Sequence, residues 1–158
     1  MAVSTSNLIG VALGYTDTTA QFNLGTTVNL DDGGQAVYVK AASTVSTYMA
    51  VSVQVDNNVV PLTTTNSANS KVIGFAQTSI ASAYYGWVQI GGKPRVNVLI
   101  ACQPNVPLFT TSTAGSLDDA TVTAGLVAGL VATTSAASAS APTCVAGYPH
   151  VWTGPTNA

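Results

Sequence analysis

The residue types that usually carry chemistry are sparse and scattered in this chain of 158 residues. There is one histidine, His150, and there are two cysteines, Cys102 and Cys144. All six acidic residues are aspartates: Asp17, Asp31, Asp32, Asp56, Asp118 and Asp119. His150 sits among aromatic residues and proline in GYPHVW, where a packing or surface role is the expectation. General acid–base catalysis needs two tuned groups in one pocket. The paired aspartates Asp31/Asp32 and Asp118/Asp119 lie instead in glycine-flanked stretches, where Asp serves turns. A calcium site on either pair is a weaker reading, because adjacent carboxylates supply too few of the six to eight oxygens required. Gly91-Gly92-Lys93 fails as a phosphate loop: Pro94 follows the lysine and Trp87 stands where the first glycine belongs. No G-x-S-x-G supplies a nucleophile elbow. The two cysteines are far apart and read as buried free thiols, with a disulfide between two late strands as the alternative and a metal site lacking further ligands. No catalytic, cofactor-binding or metal residue is assigned, and no enzymatic activity is expected.

Charge is as scarce as chemistry. Four cations, Lys40, Lys71, Lys93 and Arg95, oppose the six aspartates for a net charge of −2. Charged residues make up 6% of the chain, against about a quarter in an ordinary soluble domain. There is no basic patch to neutralise phosphates, so nucleic acid is not an expected partner. A surface this neutral is poorly protected against self-association, which points to a protein that works inside an assembly. The apolar run AGLVAGLVA, residues 124–132, is far short of the ~20 residues that span a bilayer, so no membrane is expected. The N-terminus shows no basic and apolar signal pattern, so a secretory route is not expected either.

Elements that would position any site read as strands. Thr, Val, Gly, Ser and Asn dominate while helix formers are few. Residues 1–27 lack a sustained period and read as an extended arm, leaving 28–158 as a single β-rich domain. Asp31-Asp32-Gly33-Gly34 turns the chain into a strand over 35–41. Residues 47–55 alternate cleanly, with Met49, Val51, Val53 and Val55 on one face. Pro61 marks an edge strand or a strand end. Further strands are expected over 71–77, 84–90 and 95–102, the last two joined by a hairpin loop at 91–94. Residues 106–111 are a short strand candidate; 127–133 and 143–152 would close the domain across the Ala/Ser-rich stretch 133–142. GLVAGLV could instead form one or two helical turns. The architecture expected is all-β, a β-sandwich or small barrel of jelly-roll type with the N-terminal arm. Candidate interface residues are Leu8, Ile9, Val11, Leu13 and Phe22 in the arm, together with Tyr84, Tyr85, Trp87 and Trp152. The aromatic group 84–87 is expected to pack in a core or an interface, with stacking on sugars as the alternative.

Three ordered stretches carry a resemblance. Leu24-Gly25-Thr26 through Asp32-Gly33-Gly34 to Tyr38-Val39-Lys40-Ala41 is the first. Gly74-Phe75-Ala76-Gln77 with Tyr85-Gly86-Trp87-Val88-Gln89 and Gly91 is the second, and Pro107-Leu108-Phe109 with Gly115 and Leu117-Asp118-Asp119-Ala120 is the third. Over residues 24–120 this order resembles the small head-decoration, or cement, proteins of tailed bacteriophages. The resemblance implies a virion structural protein, made in the host cytoplasm, that binds the outer surface of an icosahedral head and stabilises it. It implies the major capsid protein as partner, a homo-oligomer with a trimer favoured and a dimer second, and no cofactor. Another virion component, such as a tail or fibre module, and a carbohydrate-binding β-sandwich using Trp87, Tyr84, Tyr85 or Trp152 are the rival readings.

Overall fold

A computed structural model describes residues 12–122, 125–136 and 142–151. The protein is all-β, with a closed five-stranded barrel and an additional sheet. Twelve strands run through the described residues: β1 (Thr16–Asp17), β2 (Thr27–Asn29), β3 (Gln35–Ala41), β4 (Ala50–Val53), β5 (Asn58–Pro61), β6 (Val72–Ala76), β7 (Tyr85–Gln89), β8 (Gly91–Gly92), β9 (Pro107–Thr110), β10 (Leu117–Asp118), β11 (Leu126–Ala132) and β12 (Cys144–Val151). The first sheet has the order β1-β7-β6-β4-β5-β3-β2, and β3 pairs again with β7 to close the ring. All barrel contacts are antiparallel except β3 against β5, where Lys40 and Ala41 lie opposite Asn58 and Val59. The second sheet has the order β10-β9-β11-β12-β8.

Alternation sorts the residues between inside and outside. Val37, Val39, Val51, Val53, Val59 and Val88 share one buried cluster, the barrel interior. A five-stranded ring is narrow, so small residues must alternate with the valines. Gly74 is one such position: a Cβ there would stand 2.7 Å from a methyl of Val88. The outward face of β4 and β6 contributes Ala50, Ile73 and Phe75 to a second cluster, completed by Leu108, Val127, Leu130 and Cys144 of the second sheet. The outward face of β3 and β7 contributes Ala36, Tyr38 and Trp87 to a third, covered by Leu13, Val28 and Leu30. Hence β3 and β7 are buried on both sides.

That third cluster corrects the reading of residues 1–27 as an arm separate from its own domain. From residue 12 the segment belongs to the domain. Leu13 is buried, and Thr16 and Asp17 pair with Gly86 and Tyr85 of β7. The segment lacks periodicity because it lies across a barrel wall and adds only two residues to the sheet. Two local expectations also change. Residues 95–102 form no strand; they make isolated bridges, Arg95 to Thr143 and Val98 to Leu117, before a turn. Residues 91–92 are β8, paired with Ala146 and Gly147, and are not a hairpin loop. The closing strand expected over 127–133 is β11, Leu126–Ala132, and the helical alternative for GLVAGLV falls.

The strand expected over 47–55 is shortened to β4 at its start by a recurrent elbow. Val45-Ser46-Thr47-Tyr48, Ile80-Ala81-Ser82-Ala83 and Val98-Leu99-Ile100-Ala101 repeat one backbone course. Each begins on a buried aliphatic residue and ends in left-handed geometry, φ 65° at Tyr48 and 70° at Ala83 and Ala101. In each, the left-handed residue donates its N–H across the fold, to Ala76, Ala41 and Ala136 respectively. At Tyr48 the side chain is held as well: the Arg95 guanidinium lies 4.4 Å from the ring centroid and donates to the phenol oxygen at 3.1 Å.

Left-handed geometry costs a side-chain-bearing residue about 1–2 kcal/mol, and the extra freedom of glycine in the unfolded chain costs about 0.4–1 kcal/mol. Ala83→Gly and Ala101→Gly should therefore each stabilise the protein, by about 0.5 kcal/mol on this balance. Urea titration followed by tryptophan fluorescence measures this. A loss of stability in both variants would contradict the elbow geometry.

Candidate interaction surface

Of the aromatic residues singled out in the sequence, Phe22, Tyr85 and Trp87 gather with Tyr38 on the β3–β7 wall. Phe22 meets Tyr38 and Trp87 edge-on, at centroid distances of 5.3 and 5.4 Å. Tyr38 stacks on Tyr85 at 6.2 Å, and Lys40 places its ammonium 5.5 Å from the Tyr85 centroid. The phenol oxygen of Tyr38 accepts the backbone N–H of Gln21, so the covering segment is pinned as well as packed. Trp87 is 1% exposed. It is corrected here from interface residue to core residue: Phe22 closes over it, and it cannot offer a face to a sugar. Leu13 is likewise core. Phe22 and Tyr84 remain on the surface at 45% and 37% exposure, joined by Tyr15 and Leu24 among the exposed apolar side chains, and Tyr85 is half-buried. Leu8, Ile9, Val11 and Trp152 lie outside the described residues.

Asp17, Asp32 and Asp56 are engaged as structural acceptors. Asp17 receives the N–H of Thr19, the Tyr15 hydroxyl and the Gln21 amide. The Thr19 N–H, then the Tyr15 hydroxyl, hold its carboxyl below the ordinary range. The Asn58 N–H lowers Asp56 in the same way. A carboxylate stabilised in its charged form is a weak proton acceptor. Asp32 has a longer reach: one oxygen accepts the N–H of Gly34, the other the N–H of Lys93 and the amide of Gln89, each of the last two at 2.8 Å. It thereby ties the β2–β3 turn to β7 and β8. The backbones approach so closely here that a Cβ on Gly34 would collide with the Gly91 carbonyl, and one on Gly92 with the Asp32 carboxylate. The sequence marked Asp32 as a turn residue, which it is; nothing local signalled its partners 57 and 61 positions away.

Cys102 and Cys144 are both free and buried in the cluster between the sheets. Burial raises the Cys102 thiol, with Asp119 and Asp118 adding to the effect. Burial, and then the neighbouring Cys102, push Cys144 up to about 12. No group of three or more His, Cys, Asp or Glu among the described residues could hold a metal. A cavity of about 350 Å³ opens near the barrel end, lined by Val37, Val53, Val72, Ile90, Lys71 and His150 among others. Among the described residues, its lining contains no carboxylate. Among the described residues, no helix is long and apolar enough to cross a membrane.

Two expectations follow. Asp32→Ala removes the acceptor of three donors; because the carboxylate is partly exposed, the loss should be about 1–2 kcal/mol, read as a lower urea midpoint at unchanged fold by circular dichroism. Little or no change would mean water replaces the carboxylate. For the thiols, the thiolate is the attacking form, so the native protein at pH 8 should resist iodoacetamide at Cys144. Unfolded without reductant, it should take two adducts by intact mass. A product two hydrogens light and unalkylated would instead reveal a disulfide.

No protein-family model matches this chain, and no curated protein matches it significantly.

Proposed function

We propose that this chain is a structural protein of a virus head, a decoration or cement protein that binds the outer surface of an icosahedral shell and stabilises it. The observation that carries the reading is that Tyr15, Phe22, Leu24 and Tyr84 are exposed apolar side chains, Phe22 lying edge-on over Tyr38 and Trp87, in a chain with almost no charge. Attachment then rests on apolar burial and hydrogen bonds, with the major capsid protein as partner. The three stretches that resemble decoration proteins support it further; they hold β2–β3, β6–β7 with β8, and β9–β10. The depressed carboxyls Asp17 and Asp56 and the raised thiols supply no proton donor or nucleophile poised near neutral pH. A cement role requires none.

The test uses particles of the shell this protein decorates. Salt at 1 M shrinks the Debye length to about 3 Å and screens ion pairs while leaving apolar contacts intact. The protein should stay on particles washed in 1 M NaCl. Decorated particles should withstand a higher temperature than bare ones, since binding to the assembled state stabilises that state. Leu24→Asp and Tyr84→Asp should lower occupancy without altering circular dichroism. Purified virions free of this chain, or its release by salt with no change in heat resistance, would sink the proposal.

A further inference from the structure

The outward face of the second sheet departs from the rule that an antiparallel sheet covered on one side is polar on the other. Its inner face, with Leu108, Val127, Leu130, Cys144 and Ala146, is buried against the barrel. The opposite face carries Pro107, Phe109, Leu126, Ala128, Val131 and Val145, all exposed or half-buried. Cross-strand register places them together: Leu126 lies opposite Phe109, and Val131 opposite both Pro107 and Val145. The three inner strands β9, β11 and β12 contain no Asp, Glu, Lys or Arg. Among the described residues, the ionisable ones nearest this face stand at its margins: Asp118 on the edge strand, opposite Phe109, and His150 near the end of β12, opposite Ala128, where it lines the cavity at the barrel end.

The relief of the face says what fits it. Val131 and Val145 are 42% and 48% exposed and directly opposite each other, so they form a ridge across β11 and β12. Two residues along each strand, Gly129 and Gly147 form a hollow. The register shifts here between Ala128 and Leu130; Gly129 takes φ 83°, and a Cβ on it would stand 2.8 Å from the Gly147 carbonyl oxygen. Among the described residues other than its chain neighbours, nothing lies within 4 Å of where a Cβ on Gly147 would stand. The two glycines, Val131 and Val145 line a shallow groove of about 500 Å³. Ridge and hollow thus lie two residues apart along both strands, the hollow at the point where the register breaks.

We infer that this face is a two-fold contact between copies of the chain, in which the Val131/Val145 ridge of each copy fills the Gly129/Gly147 hollow of the other. An axis lying between the two sheets, across the strands and midway between ridge and hollow, exchanges one for the other. Two-fold contacts are isologous: one patch must be complementary to itself. This patch carries both halves of the fit. A three-fold ring would need two different patches. Self-apposition also brings like groups together, and a face whose centre is uncharged meets no repulsion there. The inference stands apart from the capsid proposal, since it needs no shell.

Sedimentation velocity on the full-length protein from about 1 to 100 µM, with and without 1 M NaCl, tests it. The wild-type protein should form a dimer in both salts. Val131→Glu with Val145→Glu should weaken dimerisation at least ~100-fold, because a charge would be buried unpaired. Gly147→Val places a side chain in open space within its own copy but in the partner's path. It should weaken the dimer about tenfold while circular dichroism and urea midpoint hold, so the test survives if the glutamate variant fails to fold. Leu24→Asp and Tyr84→Asp should leave the dimer intact. A monomer throughout would assign the face to residues 152–158 of the same chain or to a shell subunit, and would overturn the inference. So would a trimer, or any oligomer indifferent to Gly147→Val.

Discussion

The pairing of β3 with β7 is the contact on which the rest of the molecule depends. Five consecutive register pairs, from Ala36 opposite Gln89 to Lys40 opposite Tyr85, turn an open sheet into a ring. Without this seam β3 and β7 would each present a free edge, the usual template for unwanted pairing. Closure has a geometric cost, because a ring of five strands has little interior volume. The interior is therefore written in valine, alanine and glycine, and the large residues Tyr38, Phe75 and Trp87 are turned outward. Large apolar groups on the outside of a barrel must be covered. The second sheet covers Phe75, and the segment from residue 12 to residue 30 covers Tyr38 and Trp87. Both additional layers follow from the size of the ring.

With so few charges, polar side chains must fix the joints between layers. Asp32 and Gln89 hold the barrel to β8 and thus to the second sheet. Ser52 and Ser70 share a 2.6 Å hydrogen bond, and Thr110 meets Thr64 at 3.1 Å where β9 passes the barrel. Such bonds between neutral hydroxyls and amides contribute modestly each, about 0.5–1.5 kcal/mol, but they are directional and insensitive to salt. Their role is to set register, while apolar burial supplies most of the stability. The perturbed groups fit that division. Asp17 and Asp56 are lowered by the backbone donors they collect, and the two thiols are raised by the core that contains them.

Strands with β-branched runs were legible in the sequence because period-two burial leaves a direct trace: Gln35–Ala41 is β3 with both ends as read. The misreadings share one cause, which is that the signal lay in another part of the chain. Residues 12–30 show no period because they cover the barrel's outer wall. Residues 95–102 alternate because Val96 and Val98 are buried, yet Ala101 in left-handed geometry turns the chain before a ladder can form. A glycine at that position would have announced the turn. Alanine there, and alanine and tyrosine in the other two elbows, conceal the repeat. Gly91-Gly92 carried the composition of a hairpin loop, but Gly92 faces the Asp32 carboxylate with no room for a Cβ, and the Gly91 carbonyl in turn excludes a Cβ at Gly34. For the surface, exposure of Phe22 and Tyr84 agreed with their aromatic character, whereas the burial of Trp87 depended on a covering segment that no local pattern revealed.

The distribution of charge follows the same architecture. Every lysine, the arginine and all but two aspartates fall before residue 96, on the barrel, its covering segment and the turns around them. Asp118 and Asp119 stand at the edge strand β10. Beyond them the second sheet has no formal charge, although one of its faces is turned away from the barrel. A sheet in this position ordinarily places polar residues outward, because nothing else lies against it. Here the outward residues keep the apolar character of the inward ones, so β11 and β12 read as two-sided strands. A strand apolar on both faces is the composition of an inner layer. The barrel accounts for one of those faces, and the other calls for a layer that a single copy of the described chain does not supply.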